Sequence, residues 1–337
     1  MNNYHKTIVC DIDDTISFTT DRDWENATPN TQLIQKLNKL YDEGWTICYV
    51  TARGNVSFKG DREAADKHYR PIIEKWFKKN NVKYSMLSFD KMLAAYYIDD
   101  KAATPESFMD IHIEKLIGGL SGADIERRGN LVYKTHPNSL ESAVWFKEAS
   151  NIVKTAKVHS LIGNTLCLEY IEKTDEPKIE QIDYIINQFR TVPSSEDFST
   201  YIDRIKDHLS IYEPEYKEAL LKTLKDREET FNLNKSFCHG DMSLDNMINN
   251  NGVLYLIDPN KPKGLYSSWL LDVSKVLHSA RRFNHPQVYS YFINKYKELK
   301  QEIQLLELTH WVRMRKYNED KEFVDKNIQD ILKEIRS

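Results

Sequence analysis

The N-terminal third of the chain alternates short apolar runs with amphipathic stretches. Three apolar runs predict buried strands, at residues 7–10, 45–50 and 95–98. Apolar residues at three- and four-residue steps predict helices between these strands, at residues 32–42 and 62–79. Gly44 ends the first of these helices. The order strand, helix, strand, helix, strand predicts a small, doubly wound α/β domain with a parallel sheet.

Polar residues lie at or near the carboxyl ends of the predicted strands. The acids, hydroxyl and lysine concerned are Asp11, Asp13, Thr51, Lys91, Asp99 and Asp100. Open α/β sheets place their sites at the carboxyl ends of their strands. The acids after the first strand would by themselves also suit an acidic turn, but the order of the whole set favours a site.

This arrangement resembles the haloacid dehalogenase phosphatase superfamily, and all four of its sequence signatures are present. The resemblance implies that Asp11 attacks phosphorus, because Mg²⁺ and nearby cations offset the repulsion between anions. It implies that Asp13 protonates the leaving oxygen and then activates water. Thr51 and Lys91 would bind the phosphoryl oxygens. The implied Mg²⁺ ligands are Asp11, the backbone carbonyl of Asp13, and Asp99 or Asp100.

No long insertion interrupts these motifs, so the phosphatase-like domain would have a minimal cap and an open site. Arg53 and Lys59 follow the second predicted strand. Either they hold the anionic tail of a substrate or they are solvated loop charges.

The remainder of the chain predicts a second domain that starts with a glycine-rich loop. Residues 113–116 lead into this loop at residues 117–124, and an apolar run at residues 131–134 ends in Lys134. Two strands around such a loop would let backbone amides approach phosphates, with Lys134 on the return strand pairing with them. Ordinary turns use the same small residues, so the position of Lys134 is the stronger part of this prediction.

A helix and an apolar strand are predicted after Lys134. Residues 142–152 are helical, and an ion pair from Glu148 would orient Lys134. Glu141 is the competing candidate, and Glu148 also suits a plain surface position. The apolar run at residues 165–171 predicts either a core strand or a hinge whose backbone contacts adenine at Glu169 and Ile171.

The most informative stretch is a predicted hairpin formed by residues 236–248 and 254–258, with its turn at residues 250–252. The hairpin brings together Asp241, Asn246 and Asp258. Oxygens from Asn246 and Asp258 suit Mg²⁺, which keeps waters and bridges nucleotide phosphates. Asp241 is then free to accept a proton from an attacking hydroxyl. The alternative is a hairpin with solvated turn residues; the strand ending at Asp258 favours a kinase motif.

Together these features resemble the aminoglycoside phosphotransferase and choline kinase family, which has a bilobal protein-kinase-like α+β fold. The resemblance implies Asp241 as the base, Asn246 and Asp258 as Mg²⁺ ligands, and ATP as the phosphoryl donor. The implied nucleotide-binding residues are Ser121, Gly122, Lys134, Glu148, Glu169 and Ile171. Asp272 resembles the structural aspartate that braces the catalytic loop in this family.

The phosphoryl acceptor is not identified by any motif. Tyr266, Trp269 and Trp311 either form an aromatic box for a quaternary ammonium group by cation–π attraction or pack in the helical core. Arg313 and Arg315 either hold a carboxylate or phosphate of the acceptor or lie on a solvated helix face.

Composition narrows the class of protein. The chain has 337 residues and a formal net charge of -4, without the basic footprint of a nucleic-acid-binding protein. Its four cysteines are widely spaced in apolar runs, which predicts reduced core thiols rather than disulfides or a zinc site. No signal region or membrane-length apolar run is seen, so we expect a cytoplasmic enzyme with small-molecule substrates and no membrane or nucleic-acid partner. Homo-oligomerisation is left open.

We therefore expect two domains, at residues 1–106 and 107–337, the second with lobes at residues 111–171 and 172–337. The leading hypothesis is a bifunctional enzyme, a Mg²⁺-dependent phosphatase joined to an ATP-dependent small-molecule kinase. Both modules acting at one position would only consume ATP, so they would act at different positions or on successive intermediates. Synthesis of a capsule or other surface-polysaccharide building block fits by family association.

Two alternatives are weighed against this hypothesis. In the first, one module is catalytic and the other is a binding or regulatory domain. The second is an enzyme that processes nucleic-acid ends, which the missing Gly-x-x-x-x-Gly-Lys-Ser/Thr loop and the missing basic stripe disfavour.

Overall fold

The computed structural model describes residues 6–19, 22–97, 99, 102–116, 122–209, 212, 214–260, 264–315 and 320–336. The chain divides into two compact units, Met1–His112 and Ile113–Ser337. This division falls just after the expected boundary, because a short helix, α3 (Pro105–Asp110), belongs to the first unit. Lys36 Nζ donates to the carbonyl oxygens of Phe108 and Ile111, at 2.5 and 2.7 Å, and so ties α3 to that unit. Within the described ranges, none of the helices is both long and apolar enough to span a bilayer.

The first unit is built on a parallel sheet of three strands. The strands of this unit are β1 (Thr7–Asp11), β2 (Ser17–Phe18), β3 (Thr28–Pro29), β4 (Thr46–Val50) and β5 (Met86–Ser88). The sheet has the order β1–β4–β5, and β2 pairs with β3 in a separate antiparallel ribbon. Asp11 lies opposite Val50 in the register, so β1 and β4 end at the same edge.

Two amphipathic helices, α1 (Thr31–Asp42) and α2 (Arg62–Lys79), complete the first unit. The Asn30 side chain caps α1 by accepting a hydrogen bond from the Leu33 N–H at 3.3 Å. The predicted apolar face of α1 is buried, with Leu33 and Leu37 no more than 3% exposed. Burial of one such side chain contributes about 2 kcal/mol to stability. Trp76 on α2 donates its indole N–H to the Ala27 carbonyl oxygen, 2.9 Å away.

The third strand of the sheet differs from the expected one. The strand predicted at residues 95–98 is not formed by residues 95–97, where Tyr96 is 86% exposed, and Ile98 lies outside the described residues. The sheet instead pairs β4 with β5, where Leu87 is buried opposite Tyr49. Residues 95–97 of that run are all exposed, so none of these three faces the core. Leu87, in the shorter run, does.

The second unit begins with a five-stranded antiparallel sheet in the order β6–β7–β8–β10–β9. Its strands and first helix are β6 (Ile113–Lys115), β7 (Asp124–Arg128), β8 (Leu131–Thr135), α4 (Ser139–Ala149), β9 (Val158–Ile162) and β10 (Thr165–Glu169). The return strand after the glycine-rich segment is β7. Lys134 therefore lies on the next strand, β8, opposite Ile125, and not on the return strand as expected.

Helices form most of the rest of the second unit. They are α5 (Ile179–Arg190), α6 (Phe198–His208), α7 (Pro214–Asp226), α8 (Glu228–Leu233), α9 (Trp269–Arg282), α10 (Pro286–Lys295), α11 (Lys300–Met314) and α12 (Lys321–Arg336). α9 and α11 pack against each other and are buried on nearly every face, as central helices are.

The predicted hairpin is confirmed between the two groups of helices. It consists of β11 (Met247–Asn250) and β12 (Val253–Leu256), with Met247 opposite Leu256. Asn251 and Gly252 both have positive φ, 48° and 82°, as the two central residues of a type I′ turn require. This turn matches the twist of the strands and carries the chain directly from one polar loop to the next.

Candidate functional site

The loop before β11 is held in place by a buried carboxylate. Asp272, in the first turn of α9, accepts hydrogen bonds from the backbone N–H groups of His239 and Gly240, at 2.8 and 2.9 Å. Asp272 is fully buried, so these charge-assisted bonds form away from water. The brace predicted for Asp272 is confirmed.

His239 connects the same loop to the end of β12. Its Nε2 lies 2.9 Å from the Ile257 carbonyl oxygen, and its Nδ1 lies 3.3 Å from the Asp241 nitrogen. A carbonyl oxygen can only accept and an N–H can only donate, so the ring carries its hydrogen on Nε2 and accepts at Nδ1. Burial lowers the pKa of His239, which agrees with a neutral ring. His239 is therefore a structural link between Asp241 and Asp258.

Asp241 is a partly buried carboxylate that is kept ionised. Lys275 Nζ lies 3.0 Å from Asp241 Oδ1, and Asn246 Nδ2 donates to Asp241 Oδ2 at 3.2 Å. Burial alone would raise the pKa of Asp241, but Lys275, helped by Arg313, outweighs burial and lowers it below the usual value. The carboxylate is thus ready to accept a proton at neutral pH.

Asn246 and Asp258 line the same cavity of about 550 Å³ as Asp241. The Asn246 amide nitrogen also donates to the Asp241 carbonyl oxygen at 2.9 Å. With the nitrogen held in this way, the amide oxygen is the atom of Asn246 that could coordinate a metal ion. Asp258 has a positive φ of 57°, a conformation rare for residues other than glycine and often found at functional sites. One amide and one carboxylate oxygen fit Mg²⁺, which takes few protein ligands.

Lys134 approaches this pair of residues from the sheet. Its Nζ contacts Asp258 Oδ1, and the lysine side chain is largely buried. The ion pair expected between Lys134 and Glu148 is not formed. α4 packs through Trp145, Phe146 and Ala149, which leaves Glu148 on the exposed face of the helix.

Three of the other predicted nucleotide-binding residues, Gly122, Glu169 and Ile171, lie among the described residues. Ser121 lies outside the described residues, and Gly122 adopts a positive φ of 70° with open space around it. Glu169 is exposed, and its backbone N–H donates to the Lys157 carbonyl oxygen at 2.8 Å. Ile171 is partly buried against the hydrophobic core. Glu169 is the last residue of β10, and Ile171 lies in the loop that follows it.

The cavity also contains cationic and imidazole side chains, of which only Arg313 was a candidate from the sequence. The contributors from α9 and α11 are Lys275, His278, Arg282, His310 and Arg313. Burial lowers the pKa of His278 and His310 well below the usual value, so both rings are neutral. Lys275, His278 and Arg282 are three and four residues apart and so lie on one face of α9. This spacing is the sequence feature from which their grouping could have been predicted.

The aromatic box considered for the acceptor is not formed. Tyr266, Trp269 and Trp311 are at most 3% exposed and belong to the hydrophobic core. The two arginines near Trp311 differ in their surroundings. Arg315 donates to Asp325 Oδ2 at 3.1 Å, whereas Arg313 lines the cavity.

In the first unit, the predicted acids pair with cations at the sheet edge. Lys91 Nζ lies 2.5 Å from Asp11 Oδ2, and burial outweighs this contact, so the pKa of Asp11 is raised. Thr51 donates its hydroxyl to Asp13 Oδ2 at 3.0 Å. The structure thus brings Asp11, Asp13, Thr51 and Lys91 to the ends of β1 and β4.

Arg53 is neither a solvated loop charge nor free for a substrate. It contacts Asp13 Oδ1 through Nε at 2.8 Å and through a terminal nitrogen at 2.7 Å. Its guanidinium lies 4.1 Å from the ring centre of Trp24, and its side chain is only 4% exposed. Arg53 therefore holds Asp13 firmly beside the strand end.

Not all of the metal ligands predicted for the first unit lie among the described residues. Asp99 is exposed, and Asp100 lies outside the described residues. In the part of the chain that the structure describes, no three His, Cys, Asp or Glu side chains are grouped as a metal site groups them. The Asp11 carboxylate and the Asp13 carbonyl are hard oxygen donors of the type that Mg²⁺ takes.

Comparisons with known proteins agree on the fold of the second unit. No protein-family model and no curated protein matches the chain. A choline/ethanolamine kinase family protein from Mesorhizobium loti is 13% identical and covers 67% of this chain and 88% of its own, with a TM-score of 0.51. This is about the share of the chain that Ile113–Ser337 makes up.

Two further solved structures are similar to parts of the chain. A choline kinase from Streptococcus pneumoniae is 16% identical and covers 67% of this chain and 94% of its own, with a TM-score of 0.48. A protein from Vibrio cholerae is 28% identical and covers 32% of this chain and 89% of its own, with a TM-score of 0.31. At these TM-scores neither adds to the argument. The second unit shares the kinase-like fold of the Mesorhizobium loti protein.

Proposed function

We propose that the second unit is an ATP-dependent phosphotransferase that phosphorylates a hydroxyl group of a small molecule. The observation that carries this proposal is the environment of Asp241. It is an ionised, partly buried carboxylate on a braced loop, in one cavity with Asn246 and Asp258. The kinase-like fold supports the proposal at the level of fold.

In this mechanism Asp241 accepts the proton of the acceptor hydroxyl as that oxygen attacks phosphorus. Lys275 keeps Asp241 ionised, and Asn246 holds the carboxylate in position through its amide nitrogen. Asn246 and Asp258 would hold Mg²⁺, which supplies charge neutralisation for the nucleotide phosphates. Lys134, which contacts Asp258, is the cation from the sheet that would pair with those phosphates.

For the first unit we propose hydrolysis of a phosphate monoester. Asp11 would attack phosphorus, with Lys91 beside it to offset the negative charge of the substrate. Asp13 would protonate the leaving oxygen from its place two residues further along. Its contacts with Thr51 and Arg53 keep it at the strand end.

Together the two units would form a bifunctional enzyme that uses Mg²⁺ in both reactions. We propose that they act at different positions of one compound or on successive intermediates, in the synthesis of a surface-polysaccharide building block. The alternative is that one unit only binds a ligand and regulates the other.

The kinase proposal is tested by ADP formation from ATP and Mg²⁺ with a panel of small hydroxy compounds. Asp241→Asn should lower the rate about 10²- to 10⁴-fold, the usual contribution of a general base, without changing nucleotide binding measured by calorimetry. Asp330→Asn, at an exposed position on α12, is the matched control and should leave the rate unchanged. Undiminished ADP formation by Asp241→Asn would contradict the proposal.

A further inference from the structure

Two arginines from different helices meet beside the catalytic loop. Arg204 on α6 and Arg313 on α11 line one small cavity together with Gly240 and Tyr201. Arg313 also lines the larger cavity that contains Asp241, so the two cavities adjoin at Arg313. The small cavity has a volume of about 10 Å³, which is room for about one water molecule. An acceptor would therefore occupy the larger cavity, and only a terminal oxygen would reach Arg204.

Neither arginine has an anionic partner of its own. Among the described residues, Arg204 and Arg313 make no side-chain hydrogen bond or ion pair. Burial, and after it the neighbouring Arg313 charge, lowers the pKa of Arg204. Asp241, which lines the larger cavity together with Arg313, is already paired with Lys275 at 3.0 Å.

The side chains that line the larger cavity do not suit a quaternary ammonium group. Its described lining contains no Phe, Tyr or Trp, so it lacks the rings that attract such a cation. Asp258 is in contact with Lys134, and Asp241 with Lys275. The cations left over on its wall are Arg282 and Arg313, against the single exposed acid Asp245.

We propose that the acceptor of the phosphotransferase is a small alcohol that carries a carboxylate or phosphate group, and that Arg313, backed by Arg204, binds this anionic group. A guanidinium group presents paired N–H donors in a plane, the geometry that a carboxylate or phosphate accepts. Binding the anion offsets the repulsion between the two arginines and leaves the acceptor hydroxyl on the Asp241 side of the cavity. This inference rests on the proposed kinase function and names the class of its substrate.

The test compares four acceptors in an Asp11→Asn background, which prevents the first unit from consuming phosphorylated compounds. Glycerate and glycerol 3-phosphate are the anionic probes, glycerol is the neutral probe and choline is the cationic probe. ADP formation should require an anionic probe, and the one that reacts distinguishes a carboxylate from a phosphate requirement. Arg313→Met should raise the KM for that acceptor about 10- to 100-fold, the loss expected for a charged hydrogen bond, with the KM for ATP unchanged.

Arg315→Met is the matched control, since Arg315 lies two residues away on the same helix end and pairs with Asp325. It should leave the acceptor KM unchanged, and Arg313→Lys should restore part of the loss. Turnover of choline or glycerol as efficient as that of the anionic probes, or an acceptor KM unaffected by Arg313→Met, would overturn the inference.

A binding measurement covers the case in which none of the four probes reacts. Calorimetry of the Mg²⁺·ADP-loaded Asp11→Asn protein with glycerate and glycerol 3-phosphate should show binding that Arg313→Met removes and Arg315→Met retains. Absence of anion binding, or binding that survives Arg313→Met, would overturn the inference. Failure of the protein to bind Mg²⁺·ATP at all would instead contradict the proposed kinase function.

Discussion

Asp11 in the first unit and Asp241 in the second are both partly buried carboxylates that contact one lysine, yet their pKa values move in opposite directions. Lys91 lies 2.5 Å from Asp11, but burial dominates and the pKa of Asp11 is raised. Lys275 lies 3.0 Å from Asp241, and there the pKa is lowered. The shorter lysine contact is therefore found at the acid whose pKa is raised, so the distance to the lysine does not by itself set the direction of the pKa shift.

The difference lies in what else surrounds each carboxylate. Asp241 has a favourable contribution from Arg313 in addition to Lys275, and these together outweigh burial. Asp11 has the like charge of Asp13 two residues away, which opposes Lys91. A single ion pair thus does not decide the state of a buried acid; the sum of nearby charges does. The low pKa suits a proton acceptor at neutral pH.

The largest effect is expected at Arg53, the buried arginine that pairs with Asp13. Arg53→Met should destabilise the first unit by about 3 kcal/mol, because it leaves a partly buried carboxylate without its cation. Urea unfolding followed by tryptophan fluorescence measures this change. Arg62→Met removes the exposed contact with Asp90 and should leave the unfolding midpoint unchanged. Equal shifts for the two variants would show that the Arg53–Asp13 contact has no special role.

A smaller effect is expected when Asp241 is made to resemble Asp11. Lys275→Met removes the main charge that lowers the pKa of Asp241, so burial should then raise that pKa. The acid limb of kcat/KM against pH should move to higher pH, and kcat/KM at neutral pH should fall about 10- to 100-fold. A pH profile of ADP formation measures both. An unmoved acid limb would mean that Lys275 does not set the charge of Asp241.

The smallest effect is expected at Glu148, for which the sequence predicts an ion pair with Lys134. Glu148→Gln should leave the KM for ATP unchanged, because Glu148 is exposed and Lys134 contacts Asp258. Lys134→Met should raise the KM for ATP, since it removes the cation that we assign to the nucleotide phosphates. If the two variants raised this KM equally, Glu148 would orient Lys134 during the reaction.

Features carried by local sequence were predicted well. The turn at Asn251 and Gly252 was readable because only a few residue types adopt positive φ at both central positions. The helix spacing of Leu33 and Leu37 matched the buried face of α1. The kinase-like fold of the second unit followed from the order of polar residues around one hairpin, and the fold comparison confirms it.

Features that depend on tertiary packing were not readable. The apolar run at residues 95–98 predicts the third strand of the first sheet, but the third strand is β5. Composition alone does not reveal which apolar run pairs with a partner strand. Arg204 and Arg313 come from helices far apart in sequence, so no motif brings them together. The phosphatase assignment of the first unit and the roles of the individual site residues remain predictions.

The central claim is that the chain contains two separate phosphoryl-transfer centres, one around Asp11 and one around Asp241. The most direct test measures phosphate release from a phosphate monoester and ADP formation from ATP in parallel, for Asp11→Asn and Asp241→Asn. Asp11→Asn should abolish phosphate release and retain ADP formation, and Asp241→Asn should do the reverse. Loss of both activities in either folded variant would contradict the claim.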